Sequence, residues 1–295
     1  MAIRLGPNQY GKAETRVVRV YRGTASHGIR DLSVSTSLRG RFEAAHLSGD
    51  QRDVLPTDTQ KNTVFAFAKK EGIGAIEDYA LSLGRRFLRA APAADAARVA
   101  VEEYGWERIE VHGVPHDHAF VRSGAGVRTT TAYVEGSQGA ERACVVSGVK
   151  DLVLLKSTGS EFSGFLKDEY TTLQETHDRI LATSLVACWR YSTTDLDWDA
   201  SFAAIRALLM SRFAEIHSLA LQQTLYGVGE SVLAAHPEVN AIRLSAPNKH
   251  HFLVDLRPFG MENDGEVFIA ADRPYGLIET TVLRDEAPEP FGGLW

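Results

Sequence analysis

The sequence is poor in several features that mark particular classes of protein. It has only two cysteines, Cys144 and Cys188, which are too few for a disulfide scaffold or a four-cysteine zinc site. We expect both to be buried bystanders in a reducing compartment. No apolar run approaches the roughly 20 residues of a membrane-spanning helix, and the first residues lack the apolar core of a signal peptide. These absences exclude a spanning protein and predict a cytoplasmic one.

An excess of basic residues is also missing. The chain has 32 Lys and Arg against 38 Asp and Glu, which gives a formal net charge of -6. Proteins that bind nucleic acid usually carry a basic excess, so nucleic acid is not an expected ligand. If the substrate is an anion, a few well-placed cations must hold it, because the field of the whole protein will not.

The first half of the chain shows an ordered series of periodic patterns. Alternation and helical spacing predict two strands, two helices and two further strands, at residues 16–21, 29–38, 57–70, 76–87, 97–109 and 127–135. The first two strands are expected to form a hairpin. Thr57 followed by Gln60 has the spacing of a capping box, which predicts the start of the first helix.

The second half repeats this order. It predicts two strands at residues 151–156 and 183–191 and two helices at 202–216 and 221–232. Four short strands are predicted after them, at residues 242–244, 252–256, 267–270 and 276–283. The sequence therefore predicts a duplicated α+β unit, with helices on one face of an antiparallel sheet. A turn at residues 136–139 suggests repeats at 1–140 and 141–295. Since such sheets leave unpaired edges, oligomerisation is expected.

Standard cofactor and catalytic motifs are absent. The chain contains no Gly-rich phosphate loop, no dinucleotide fingerprint, no nucleophile elbow and no metalloprotease helix motif. The one constellation that is typical of a metal site is His112, His116 and His118. No fixed fourth ligand accompanies these histidines, and hydrogen bonding at a junction of loop and strand explains them more simply.

Seven polar clusters, by contrast, form a specific pattern. They are NQYGKAE, TDTQKN, LKSTGSEF, YTTLQETHDR, LQQT, PNKHHF and DRPYG, beginning at residues 8, 57, 155, 170, 221, 247 and 272. In type and order these clusters closely resemble the urate oxidase (uricase) family, over nearly the whole chain. The resemblance implies the tunnelling fold (T-fold), with two repeats per subunit and a barrel that closes on assembly into a homotetramer. It also implies oxidation of urate by O2 to 5-hydroxyisourate and H2O2 with no cofactor.

The resemblance assigns a proton relay to Lys12, Thr57 and His250. A lysine that is shielded from water can lose its proton and act as a base, and a hydroxyl can both donate and accept a proton. Each residue also has a simpler interpretation. Lys12 could be a solvated strand residue, Thr57 a helix cap, and His250 a structural histidine.

The resemblance assigns urate binding to a second set of residues. Arg179 and Gln222 would grip the purine edge, and the ring of Phe162 would stack on it. The simpler interpretations are an ion pair of Arg179 with Asp178 or Glu175, a polar helix residue, and a core phenylalanine. Backbone amides of Asp58 and Leu221 would help to hold the purine, Thr57 would also touch it, and Asn248 would face oxygen or water.

In the family the active site lies at a subunit interface, with Lys12 and Thr57 from one chain and the other side chains from its neighbour. Two alternatives remain open: a zinc-dependent T-fold enzyme that acts on a pterin, and a purine-binding protein without catalysis. The chain lacks the peroxisomal ending Ser-Lys-Leu, which agrees with a cytoplasmic protein.

Overall fold

The computed structural model describes residues 3–136 and 141–291, which form two compact units. The first unit comprises the chain up to Gly148, together with Arg190–Phe202 and the residues from Pro288 onward. The second comprises Val149–Trp189 and Ala203–Ala287. Most of the turn predicted at residues 136–139 lies outside the described residues.

The first unit is built on antiparallel strands. Its elements, in chain order, are β1 (Tyr10–Tyr21), β2 (Gly28–Gly40), α1 (Glu43–Leu47), α2 (Thr57–Lys70), α3 (Ile76–Ala90), β3 (Ala94–Glu103), β4 (Trp106–Val111), β5 (Val114–Arg122) and β6 (Val127–Glu135). β2 pairs with β1 and β3, and β3 pairs with β6, always antiparallel. β4 and β5 form a separate two-stranded ribbon.

The core of this unit lies between α3 and the sheet. α3 buries Ile76, Tyr79, Leu83 and Phe87, which recur at helical spacing on one face. Gly84 lies on the same helix, and a Cβ atom there would come within 3.0 Å of the Val134 side chain on β6. The predicted helix is therefore confirmed, and its glycine permits close packing on the strand.

The second unit also combines long strands with helices. Its elements are β7 (Arg142–Lys156), β8 (Leu181–Tyr191), α4 (Trp198–Glu215), α5 (Leu221–Ala235), β9 (Val239–Leu253) and β10 (Phe268–Leu283). The start of β7, the end of β8 and the start of α4 belong to the first unit. α5 packs its apolar face on β9 and β10. β9 and β10 pair antiparallel, and the register shifts between Ala271 and Gly276.

The α+β class predicted from the sequence is confirmed, and several element boundaries are corrected. The strand predicted at 97–109 is two strands, because β3 ends at Glu103 and β4 starts at Trp106. The last four predicted strands are two long ones, β9 and β10. Helix α1 and strand β5 were not predicted. Within the described ranges, no helix has the length and hydropathy needed to cross a membrane.

The capping box predicted at the start of α2 is wrong. Pro56 occupies the N-cap position, and it has no side chain that could cap the helix. Gln60 is fully buried and its amide bonds inward, to the Thr36 hydroxyl at 2.7 Å and to the Leu55 carbonyl at 3.4 Å. The Thr57–Gln60 spacing therefore reflects contacts across the fold and not a local cap.

Candidate functional site

The predicted base, Lys12, lies on β1 where this strand approaches β2 unusually closely. A Cβ atom on the preceding Gly11 would fall 1.8 Å from the Thr36 carbonyl oxygen, so only glycine fits there. Immediately after Lys12 the register shifts, and Glu14 adopts a positive φ of 53°. This bulge fixes the local direction of the strand at Lys12, whose side chain is half-buried.

A chain of hydrogen bonds connects this part of β1 to the start of α2. The backbone amide of Lys12 donates to the Thr36 hydroxyl at 3.4 Å, and that hydroxyl donates to the buried amide oxygen of Gln60 at 2.7 Å. The backbone amide of Leu55 donates to the Tyr10 hydroxyl at 2.9 Å. Burial raises the pKa of Tyr10, so this hydroxyl stays neutral. The strand that carries Lys12 is thereby held to the residues on either side of Thr57.

Thr57 and Asp58 are the first two residues of α2. Thr57 is half-buried, and no residue in the described part of the chain hydrogen-bonds to its hydroxyl. The Asp58 carboxylate accepts hydrogen bonds from Lys61 and, at 2.9 Å, from Asn62. These bonds, that of Lys61 above all, lower the pKa of Asp58, and the nearby charge of Lys12 adds to the effect. Lys12 therefore lies close to the start of α2.

Phe162 and Arg179 lie together in the second unit, on the segment between β7 and β8. The Cζ atom of Arg179 is 5.2 Å from the centre of the Phe162 ring. Phe162 exchanges two backbone hydrogen bonds with Thr176, at 2.8 and 3.0 Å. The ring of Phe165 is stacked 4.9 Å from that of Phe162, with 14° between their planes. Phe162 is half-buried in this cluster and is not part of the apolar core.

The Arg179 guanidinium has no anionic partner among the described residues. Both carboxylates that the sequence offered as partners are otherwise engaged: Asp178 accepts bonds from Thr158 and Gly159, and Glu175 pairs with Lys167 at 2.9 Å. The Nε atom of Arg179 is buried without a hydrogen-bond partner. Burial lowers the pKa of Arg179, and no neighbouring charge offsets it. An unpaired, half-buried guanidinium favours the binding of an anion.

Leu221 and Gln222 begin α5, after Ala220 at its N-cap. Leu221 is buried, whereas Gln222 is exposed. The neighbouring Gln223 has a structural role, because its side-chain oxygen accepts a bond from the Leu219 amide at 3.2 Å. In contrast, the Gln222 amide has no hydrogen-bond partner in the part of the chain that the structure describes. Of the two adjacent glutamines, Gln222 is thus the one available to a ligand.

Asn248 and His250 lie on β9, opposite the irregular part of β10. Their partners across the ladder are Gly276 and Ala271, so four residues of β10 face a single residue of β9. The bulge lies in the predicted DRPYG cluster. Residues two apart on a strand share a face, so Asn248 and His250 project together, and His250 stacks on Phe252 at 5.8 Å. Both predicted residues are half-buried.

The histidines considered as zinc ligands do not form a metal site. His112 lies in the turn between β4 and β5 with a φ of 53°, and His116 and His118 pack edge to face at 4.5 Å on β5. Within residues 3–136 and 141–291, no group of three or more His, Cys, Asp or Glu side chains is placed to hold a metal ion.

Both cysteines are free, and burial raises the pKa of each thiol.

The predicted residues thus fall into two sets, one in each unit. The first is Lys12, Thr57 and Asp58, and the second is Phe162, Arg179, Leu221, Gln222, Asn248 and His250. Neighbouring groups that hydrogen-bond within these regions were not predicted, notably Thr36 and Gln60 in the first set and Glu161 in the second. Gln60 was visible as a polar residue at a core position of α2, but it was interpreted as part of a cap.

Comparisons with known proteins agree with one another. A family model described as Uricase matches residues 8–133 and 145–279. The uricase of Arthrobacter globiformis is 54% identical over 281 residues, which cover 95% of this chain and 90% of that relative. The uricase of Danio rerio is 37% identical over 281 residues, which cover 93% of each chain.

Solved uricase structures are also similar to this chain. The crystal structure of the uricase from Arthrobacter globiformis has a TM-score of 0.93 against this chain at 52% identity, and the match covers 99% of both chains. That of a uricase from Bacillus fastidious has a TM-score of 0.82 at 25% identity, with 96% of this chain and 94% of that one covered.

Proposed function

This chain belongs to the uricase family, and from that premise we propose that it oxidises urate with O2 to 5-hydroxyisourate and H2O2 without a metal or organic cofactor. The observation that carries the proposal is the half-buried Arg179 guanidinium beside the ring of Phe162, with no described carboxylate to neutralise it. A flat anion suits both groups, because the aromatic face stacks on a heterocycle and the guanidinium presents paired donors in a plane.

In the proposed complex, most contacts to the purine come from residues of the second set. Arg179 and Gln222 hold the edge of the urate anion in the ring plane, and Phe162 supports its face. The Gln222 amide offers one donor group and one acceptor, which a purine edge can match. The Leu221 amide, at the start of α5, adds a further donor, since the first amides of a helix lack partners within it. Asn248 faces the place of oxygen or water.

Proton transfer belongs to the first set together with His250. Lys12 acts as the base, Thr57 passes the proton, and His250 continues the relay. The free Thr57 hydroxyl supports this assignment, because a hydroxyl engaged in a helix cap would be less available. The Asp58 backbone amide contributes to purine binding. The negative charge of Asp58 is neutralised chiefly by Lys61, which keeps Lys12 from being its main partner.

The substrate supplies the electrons. Deprotonated urate passes one electron to O2, and the resulting radicals combine to a hydroperoxide at the purine carbon. Hydrogen peroxide then leaves, and a water molecule adds to the dehydrogenated purine to give 5-hydroxyisourate. Urate, O2 and water on one side balance 5-hydroxyisourate and H2O2 on the other. The protein contributes orientation, desolvation and proton transfer.

The active molecule is proposed to be a homotetramer of tandem T-fold repeats, 1–140 and 141–295, with each site completed by two chains. β1 has its described partner in β2, and β10 has its partner in β9, so each leaves one edge available. Apolar side chains on these strands, Val18 and Leu277, are more than half exposed. Pairing of these strand edges between chains would satisfy their unpaired backbone groups and close a barrel, and the contact between chains would cover Val18 and Leu277.

The direct test is the loss of urate's ultraviolet absorbance in aerated and in oxygen-free buffer. The protein should consume urate only with O2, and H2O2 should form in equal amount. Dialysis against a chelator should leave the rate unchanged. No urate loss in air would refute the proposed function, whereas a rate that a chelator abolishes and copper or iron restores would refute cofactor-free chemistry alone.

A further inference from the structure

Glu161, which directly precedes Phe162, joins two histidines that are distant in the sequence. Its Oε1 atom is 2.6 Å from Nε2 of His217, and its Oε2 atom is 3.4 Å from Nδ1 of His177. The Glu161 side chain is 22% exposed, against 57% for His217 and 78% for His177. A mostly shielded carboxylate thus contacts two more exposed imidazoles, one with each oxygen.

The two histidines belong to the segments that carry the proposed binding groups. His177 lies two residues before Arg179, and His217 lies five residues before Gln222. Backbone bonds already tie these segments together, from the Glu161 amide to the Ser218 carbonyl at 2.7 Å and from the Phe162 amide to the Thr176 carbonyl at 2.8 Å. The Glu161 carboxylate therefore adds a side-chain link beside each backbone link.

We propose that Glu161 is a positioning residue for purine binding. Through His177 and His217 it fixes the relative placement of Phe162, Arg179 and Gln222, and so sets the affinity for a planar purine anion. The inference rests on the proposed function of the site. Glu161 itself does not touch the substrate in this arrangement.

Glu161 is the carboxylate in this region that contacts the two histidines, because the neighbouring carboxylates have other partners. Its bonds to His217, and then to His177, lower the pKa of Glu161, so it is a carboxylate at neutral pH. Glu175 is paired with Lys167, and Asp178 is bonded to Thr158 and Gly159. The Lys156 ammonium donates to the Ile216 carbonyl at 2.5 Å, just before His217.

The test compares Glu161→Ala and Glu161→Gln with the wild-type protein. Glu161→Ala should raise both KM for urate and the Kd of a non-oxidisable urate analogue by about three- to fivefold, because it removes two partly exposed hydrogen bonds. The kcat should stay within about twofold, because the relay residues are untouched. Glu161→Gln keeps an acceptor for His217 and should recover part of the affinity. The matched control, Glu175→Gln, removes an equal charge from the same segment and should leave both constants unchanged.

A second pair of variants separates positioning from a general loss of stability. His217→Ala alone should raise the analogue Kd, but should add nothing in the Glu161→Ala background, because the link is already broken. Unchanged affinity in Glu161→Ala, an equal loss in Glu175→Gln, or fully additive losses would each overturn the inference. A wild-type protein that does not oxidise urate would overturn the proposed function and the inference together, whereas an active wild type with these results overturns the inference alone.

Discussion

The residues proposed to move protons and those proposed to bind the purine stand on different kinds of backbone. Lys12 lies within strand β1, which pairs along its length with β2 apart from the bulge after Lys12, and Thr57 lies at the start of helix α2. Phe162 and Arg179 lie between β7 and β8, where the chain forms isolated bridges only. There, side chains hold the segment, as when Asp178 accepts bonds from Thr158 and Gly159.

This difference indicates how each part should respond to change. A base must keep its place relative to its proton acceptor, and a strand paired closely at Gly11 and Thr36 offers little freedom. A binding surface on a side-chain-supported segment can be altered group by group without unfolding its unit. Substitution of Lys12 should therefore change kcat, and substitutions of Phe162 and Arg179 should change affinity.

The largest effect is expected at Lys12. Lys12→Met keeps the length of the side chain but removes its proton-accepting amine, so kcat should fall by at least about a hundredfold. Affinity for a non-oxidisable analogue, measured by titration calorimetry, should change by less than about twofold, because Lys12 is not among the groups proposed to contact the purine.

Lys69→Met is the control for this experiment, since Lys69 lies in the last turn of α2, away from Thr57. Its kcat should match that of the wild type. A Lys12→Met protein that keeps more than about a tenth of the wild-type rate would contradict the assignment of the base. A parallel loss of analogue affinity would contradict the division between the two sets.

The sequence predicted the regular elements best. Apolar residues at helical spacing located α3, α4 and α5, and a run rich in Thr and Val located β6 at its observed bounds. The Thr57–Gln60 spacing located the start of α2, although no cap forms there. The long strand β9 was divided, because Pro247 and the polar residues after it interrupt the alternation. Pro247 still pairs in register with Leu277, and the pairing becomes irregular only beyond Asn248, between Ala271 and Gly276 of β10. That irregularity could not be read from either strand alone.

The site residues were predicted only through the resemblance to a family. The family model confirms that resemblance. Physical patterns in the sequence could not reveal its supports, because these join distant residues. Thr36 bonds Gln60 across 24 positions, and Glu161 bonds His217 across 56. Local spacing instead suggested a cap at Thr57 and an ion pair for Arg179, and neither is present in the described residues.

The next largest effect is expected at Arg179. Arg179→Gln removes the charge that faces the urate anion but keeps a polar side chain of similar reach. The Kd of the analogue should rise by roughly thirtyfold, which corresponds to about 2 kcal/mol for a charged hydrogen bond. Arg179→Lys, the matched control, keeps the charge but loses the planar pair of donors. Its affinity for the analogue should therefore lie between that of the wild type and that of Arg179→Gln.

Co-expression with Lys12→Met sharpens this comparison. If each site takes its two sets from different chains, mixed assemblies of the two impaired variants should regain up to about a quarter of the wild-type sites. At urate concentrations far below the wild-type KM, where both parents are impaired, mixed assemblies with no more activity than either parent would contradict a site shared between chains. An Arg179→Gln protein with wild-type affinity would remove Arg179 from the site.

The smallest effect is expected at Phe162, and it tests whether the binding set recognises a flat ring or only an apolar surface. Phe162→Ala should weaken analogue binding by about 1 kcal/mol, roughly fivefold, because stacking adds a modest amount beyond burial. Phe165→Ala is the natural control, since Phe165 stacks on Phe162 in the same segment. Its loss should affect affinity less, because one face of Phe162 remains for the purine. Equal losses in the two variants would indicate that the pair acts as a general apolar surface, and the stacking role of Phe162 would then be wrong.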